Sequence, residues 1–134
     1  MNTQTDSQPD ANLIRSAFYG NAAFSGASGL LFLLAANPVS SFLGVTESMV
    51  IVIVGVVCLG YAALLFYNAS RPVIEPAFAL FTVFADSLWV LGSIVLLVAG
   101  WLPLTAEGKW AVAIAAMIVD AFAMLQFVGW RRIK

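Results

Sequence analysis

Residues 77–100 read AFALFTVFADSLWVLGSIVLLVAG, an apolar run with a single ionisable side chain, Asp86. Crossing about 30 Å of hydrocarbon takes roughly 20 residues at 1.5 Å each, so a run of this length predicts a membrane-spanning helix. A second run, 110–130, also holds one charge, Asp120. Two more, 16–36 and 49–67, hold none. Together they predict an all-α fold: a four-transmembrane-helix bundle, antiparallel and up-down, formed by 13–134 behind a polar N-terminal tail, 1–12. Four successive runs with so few charges are foreign to water-soluble bundles, whose helices keep a polar face.

Composition agrees. The 134 residues are 62% hydrophobic and 10% charged, with a mean hydropathy of +0.97. Soluble domains run near 45–50% apolar and about 25% charged. A net charge of −1 gives no reason to expect nucleic acid as a partner. The chain has no histidine, which removes the usual zinc, copper and His-ligated haem sites. Its one cysteine, Cys58, can form neither an internal disulfide nor a CxxC pair. No metal and no cofactor are therefore expected.

The breaks between runs have their own chemistry. Asp10 is placed to cap a helix starting near Ala11. The first run ends at Asn37-Pro38, since proline lacks the N–H that a helix needs and restricts the residue before it. It is too long for a signal-peptide core, and Leu34-Ala35-Ala36 lacks a small residue at the first cleavage position, where Leu34 stands. Residues 39–48 are expected to form a short connection, with Thr46 or Ser48 capping the next helix and Glu47 in its first turn. Asn68-Ala69-Ser70-Arg71-Pro72 is a turn, and Glu75-Pro76 opens the third helix. Trp101-Leu102-Pro103 breaks it, and Thr105 caps the fourth.

Orientation follows from the basic residues. Four spans put Arg15, Arg71, Arg131, Arg132 and Lys134 on one side and only Lys109 on the other. The positive-inside rule then places both termini in the cytoplasm, which for a bacterial cell means a multi-pass protein of the inner membrane. Tyr19, Tyr67 and Trp130 fall at the inner interface, Trp101 and Trp110 at the outer one. Membrane lipids are the first partners implied, with Arg71, Arg131, Arg132 and Lys134 as headgroup contacts.

Asp86 and Asp120 are the sharpest functional signal, because an intramembrane carboxylate costs roughly 2.5–3.5 kcal/mol at a helix centre. Counted along their runs, they lie about 13–14 Å and 15 Å deep, near the midplane. Both are expected to point into the bundle, where they could face each other; two like charges there could not both ionise. Asp86, Trp89, Val90 and Ser93 share one face, and Asp86 is a candidate acceptor for the Trp89 indole. Ala113, Ala116, Asp120, Ala123 and Phe127 form a mostly small face suited to close helix approach. Asn21, Ser25, Ser28 and Gly29 supply another, with Ala22 and Gly26 beside it; the second run offers Gly55, Cys58, Gly60 and Tyr61. Shifted by 65, Asn21 falls on Asp86, Phe24 on Trp89, Ser28 on Ser93 and Pro38 on Pro103, a weak internal repeat of two hairpins.

Three functional classes remain open. In one, Asp86, Asp120, Trp89, Asn21 and Tyr61 form a hydrogen-bonded structural set in a non-enzymatic accessory or interaction protein, whose partner is a second copy or a larger membrane protein. In another, they are a proton or ligand site in a small proton-coupled transporter or ligand-binding bundle. An enzyme is the weakest class, since no nucleophile–base spacing is present. The first run ending in Asn37-Pro38-Val39, the stretch Gly60-Tyr61-Ala62-Ala63-Leu64-Leu65, Asp86-Ser87-Leu88-Trp89-Val90-Leu91 and the basic end resemble small uncharacterised four-helix integral membrane proteins of bacteria. That resemblance implies the fold and no activity. The small multidrug resistance exporters, similar in size, carry their membrane carboxylate in the first helix, where this chain has Asn21.

Overall fold

A computed structural model of the chain describes residues 11–100 and 102–134. The expected polar tail up to residue 10, the Asp10 cap and the interfacial position of Trp101 lie outside these residues. The described residues form five helices and no strand: α1 (Asn12–Leu34), α2 (Ala36–Leu43), α3 (Ser48–Ala69), α4 (Pro76–Ala99) and α5 (Ala106–Ile133). Four of them, all but α2, are long and apolar enough to cross a membrane. The helices overrun the apolar runs, since hydrogen bonding continues into polar residues once a turn is closed. α5 rises about 42 Å at 1.5 Å per residue, well beyond the hydrocarbon core.

Pro38 does not end the first helix, and 39–48 is not a plain connection. α1 stops at Ala35, whose φ of −131° leaves the helical region, and Pro38 sits in the first turn of α2. There its missing N–H costs nothing, because the first turn of a helix has no carbonyl to bond to. Gly44, at φ 87°, takes the left-handed conformation that glycine adopts without strain and closes α2 through its N–H to Ser40 O at 2.9 Å. Neither Thr46 nor Ser48 caps α3; its N-cap is Glu47, with no side-chain hydrogen bond. Pro76 does open α4, after Glu75. Thr105 caps α5 as expected, its hydroxyl accepting from Gly108 N at 2.8 Å.

α1 packs along α3 and α5, and α5 packs along α4; α3 and α4, though consecutive, approach each other little. At the α1–α3 contact Gly29 and Gly55 bring two backbones together: a Cβ on Gly29 would stand 2.8 Å from Gly55 O. One end of the molecule is closed by an apolar cluster of Ile14, Phe18, Leu65, Ala69, Ile74 and Ala79, against which Trp130 and Ile133 pack. There Arg15 donates to the carbonyl of Ala69 at the end of α3 and to two of the α3–α4 turn, Arg71 O at 2.6 Å and Pro72 O at 3.2 Å. The other end is tied by α2, where Thr105 N donates to Leu43 O at 2.9 Å.

Candidate functional site

Between those two ends the buried stripes of the helices carry polar groups. On α1 the stripe runs Ile14, Phe18, Asn21, Ser25, Gly29; on α4 Ala79, Thr82, Asp86, Ser93; on α5 Ala116, Val119, Ala123, Gln126. Spacings of three and four residues keep each set on one helical face. Tyr61 of α3 lies beside buried Cys58 and Ala62. Asn21, Tyr61, Asp86 and Gln126 are seven to ten residues in from the helix ends at the Arg15 side, so they meet in one layer about 10–15 Å deep.

Asp86 is the hub, 4% exposed. Its Oδ2 accepts from Asn21 Nδ2 at 2.8 Å and from Gln126 Nε2 at 2.8 Å. Its Oδ1 accepts from the Tyr61 hydroxyl at 2.9 Å. Asn21 gives its second amide hydrogen to Gln126 Oε1 at 2.9 Å, and Ser25 donates to Asn21 Oδ1 at 3.1 Å. The Tyr61 hydroxyl also stands 3.5 Å from Thr82 O, so one rotor serves both oxygens. All four long helices contribute, and every buried side-chain nitrogen and oxygen among the described residues has a partner. All donors to Asp86 are neutral. Each such bond inside a membrane contributes about 0.6 kcal/mol and at most about 1.7. Their combined effect is to fix which helix faces lie inward, since a helix turned by one residue would leave them unpaired.

Asp120 takes no part. It is exposed, beside a shallow open groove of about 270 Å³ between α4 and α5, also lined by Val83, Ser87, Met124 and Phe127. The expected inward face of α5 was one residue off: Ala116 and Ala123 are buried, but Val119 and Gln126 flank them, while Asp120 and Phe127 look outward. Asp86 and Asp120 therefore do not face each other. Trp89 also departs from expectation. It is 39% exposed, and its indole N–H bonds neither Asp86 nor any other described residue. The Asp86 oxygens are already filled from α1, α3 and α5. Gly60 likewise looks outward, whereas Asn21, Ser25, Gly29, Gly55, Cys58 and Ser93 are buried as their pattern implied.

The chain matches no family model, no curated protein and no solved structure. What can be said of the site therefore comes from its own geometry. Gln126 was not anticipated. It is the one amide in 110–130, and tracking every hydrogen-bonding side chain, rather than only the ionisable ones, would have found it. The 65-residue shift would have found it too, because it carries Tyr61 onto Gln126 as it carries Asn21 onto Asp86. It also carries buried Ile14 onto Ala79, Ile51 onto Ala116 and Cys58 onto Ala123. The basic candidates lie at or near one end, Arg71 in the α3–α4 turn and 5.7 Å from the Tyr67 ring, Lys134 5.1 Å from the Trp130 ring, Arg131 6.0 Å from that of Phe127; Arg132 is exposed beside them. Among the described residues no three His, Cys, Asp or Glu side chains gather where a metal could be held.

Proposed function

We propose that this is a small, non-enzymatic, multi-pass protein of the bacterial inner membrane that works by binding another membrane-embedded chain. It is an up-down bundle with both termini in the cytoplasm, and its basic end meets anionic headgroups through Arg71, Arg131, Arg132 and Lys134. One observation carries the interaction reading: Asp120 is exposed on the outside of the bundle halfway along α5. A carboxyl facing lipid at that depth is costly, and a partner that supplies a hydrogen-bond donor removes the cost. The enclosed Asp86 supports the same division of labour, its three donors making it the element that holds the helices in register.

A second reading, a proton or ligand site in a transporter, draws on the Tyr61 hydroxyl, placed to turn from Asp86 toward Thr82 O if Asp86 took a proton. Native mass spectrometry of the protein taken into lipid nanodiscs without detergent separates the two. A complex of fixed stoichiometry supports the interaction protein. A lone monomer retaining a small molecule refutes it in favour of the ligand-binding bundle. Impermeant labels on either terminus should react only after the cells are opened; labelling of intact cells would overturn the orientation.

A further inference from the structure

Asp120 is not the only charge on its stripe. Lys109, Ala113, Asp120 and Phe127 follow one another at spacings of four and seven, so they share one face of α5. Lys109 and Ala113 line a second open groove, of about 350 Å³, with Leu97 and Trp110. Val83, Ser87 and Leu97 fall on one face of α4, so this groove and the one that holds Asp120 lie end to end on the same side of the α4–α5 seam. Three polar side chains line the seam with nothing to bond. The Asp120 carboxylate, the Lys109 ammonium and the Ser87 hydroxyl make no hydrogen bond or ion pair with any described residue. With the Asp86–Gln126 bond as the common level, Asp120 lies about 9 Å toward the α2 end, still about 10 Å short of the last residue of α4. It is therefore within the hydrocarbon. Lys109 stands about 16 Å farther on, past the end of α4 and at headgroup level, too far from Asp120 to pair with it.

Resting on the interaction reading above, we propose that this seam seats one transmembrane helix of a different chain, which carries a Lys or Arg opposite Asp120 and an Asp or Glu opposite Lys109. Charge complementarity sets the pattern. Ionisable groups inside a membrane pair with one another, and a carboxylate in hydrocarbon with no cation of its own draws one from outside. The two charges of this chain are eleven residues apart on one face of α5, close to three whole turns. A helix laid along the seam meets both from one face if its own charges are also about eleven residues apart, with the acid nearer the surface. Ser87, Ala113 and Ala123 are small, which lets the incoming backbone approach closely. α4, the least buried of the four long helices, gains cover from the same contact. A second copy cannot fill the role. The six Lys and Arg all lie in the first or last turn of a helix, in the α3–α4 turn or at the C-terminus, and there is no histidine. No copy, in either orientation, presents a cation at the depth of Asp120.

The probe is a synthetic Leu-Ala helix of about 24 residues with one Arg near its middle, one Glu about eleven residues away at one end, and a donor dye. Energy transfer to the acceptor-labelled protein in phosphatidylcholine vesicles reads binding. The helix should bind. Replacing its Arg by Leu, or making Asp120→Leu in the protein, should each weaken binding about tenfold, and the two changes together should weaken it no further, because the pair needs both ends. Asp120→Glu should bind as wild type does. Asp120→Lys should reject the Arg helix and accept one with Glu in the place of Arg. A cysteine beside the helix's Arg should cross-link to Met124→Cys in a Cys58→Ala background, and not to Val56→Cys on α3. Binding indifferent to the helix's Arg and to Asp120, or cross-linked through Val56→Cys instead of Met124→Cys, overturns the proposed seat. So does a dimer of this chain in nanodiscs that Asp120→Leu dissolves. Failure of the probe helix to bind overturns it too; a complex of fixed stoichiometry with another chain in native nanodiscs then leaves the interaction reading standing, and a bare monomer overturns both.

Discussion

Replacing Asp86 distinguishes the geometry of the polar centre from its charge. In Asp86→Leu the Gln126 amide loses its acceptor, the Tyr61 hydroxyl is left with only the longer contact to Thr82 O, and Asn21 keeps only its bonds with Gln126 and Ser25. Three lost bonds at about 0.6 kcal/mol each come to roughly 2 kcal/mol, with about 5 as the ceiling if each is worth 1.7. Relief of the carboxyl from hydrocarbon, about 2.5–3.5 kcal/mol on insertion scales, acts the other way, but that scale describes a group facing lipid, and Asp86 has three donors around it. The expected net is a loss of about 2 kcal/mol. Asp86→Asn should behave differently. Its one oxygen can take the place of Oδ2 and keep both amide donors, while its NH₂ faces Tyr61, whose hydroxyl turns to accept and donates to Thr82 O instead. The change should cost under about 1 kcal/mol. Reversible unfolding in mixed micelles, followed by helicity, gives both values. If Asp86→Asn were as damaging as Asp86→Leu, the charge itself would be what the site needs; if Asp86→Leu were stabilising, burial would outweigh the bonds and the register argument would fail.

Other expectations follow from packing and caps. Gly29→Val should force α1 from α3 against the Gly55 carbonyl and lower stability by about 1–3 kcal/mol in the same assay. Thr105→Ala should remove the α5 cap and its tie to Phe42 O, costing about 0.5–2 kcal/mol, and hydrogen exchange should rise first at Gly108. Arg15→Ala should free the carbonyls of Ala69, Arg71 and Pro72, and a protease site placed in that turn should be cut faster than in the unchanged protein; an equal rate would mean that Arg15 does not hold the turn.

The four long helices were legible because length and lack of charge need no tertiary context to interpret. Pro38 was misread for want of such context: in sequence, the proline that ends one helix and the proline in the first turn of the next look alike. Asp120 shows a second limit. Ala116 and Ala123 belong equally to a stripe through Asp120 and to one through Val119 and Gln126. Two alanines fit either way round, and what decides between the stripes is that Gln126 finds Asn21 and Asp86, a contact across three helices. Trp89 was drawn toward Asp86 by its spacing alone, which takes no account of the donors that other helices bring.

The pairing of positions 65 apart has a consequence for how the molecule could be assembled. The piece before the Ser70–Glu75 turn owns Asn21 and Tyr61, and the piece after it owns Asp86 and Gln126. Neither piece can complete its bonds alone, and the gaps in one are the shape of what the other lacks. Two separately synthesised halves should therefore seek each other in the bilayer and restore the whole, so that the covalent link between them is a convenience of synthesis.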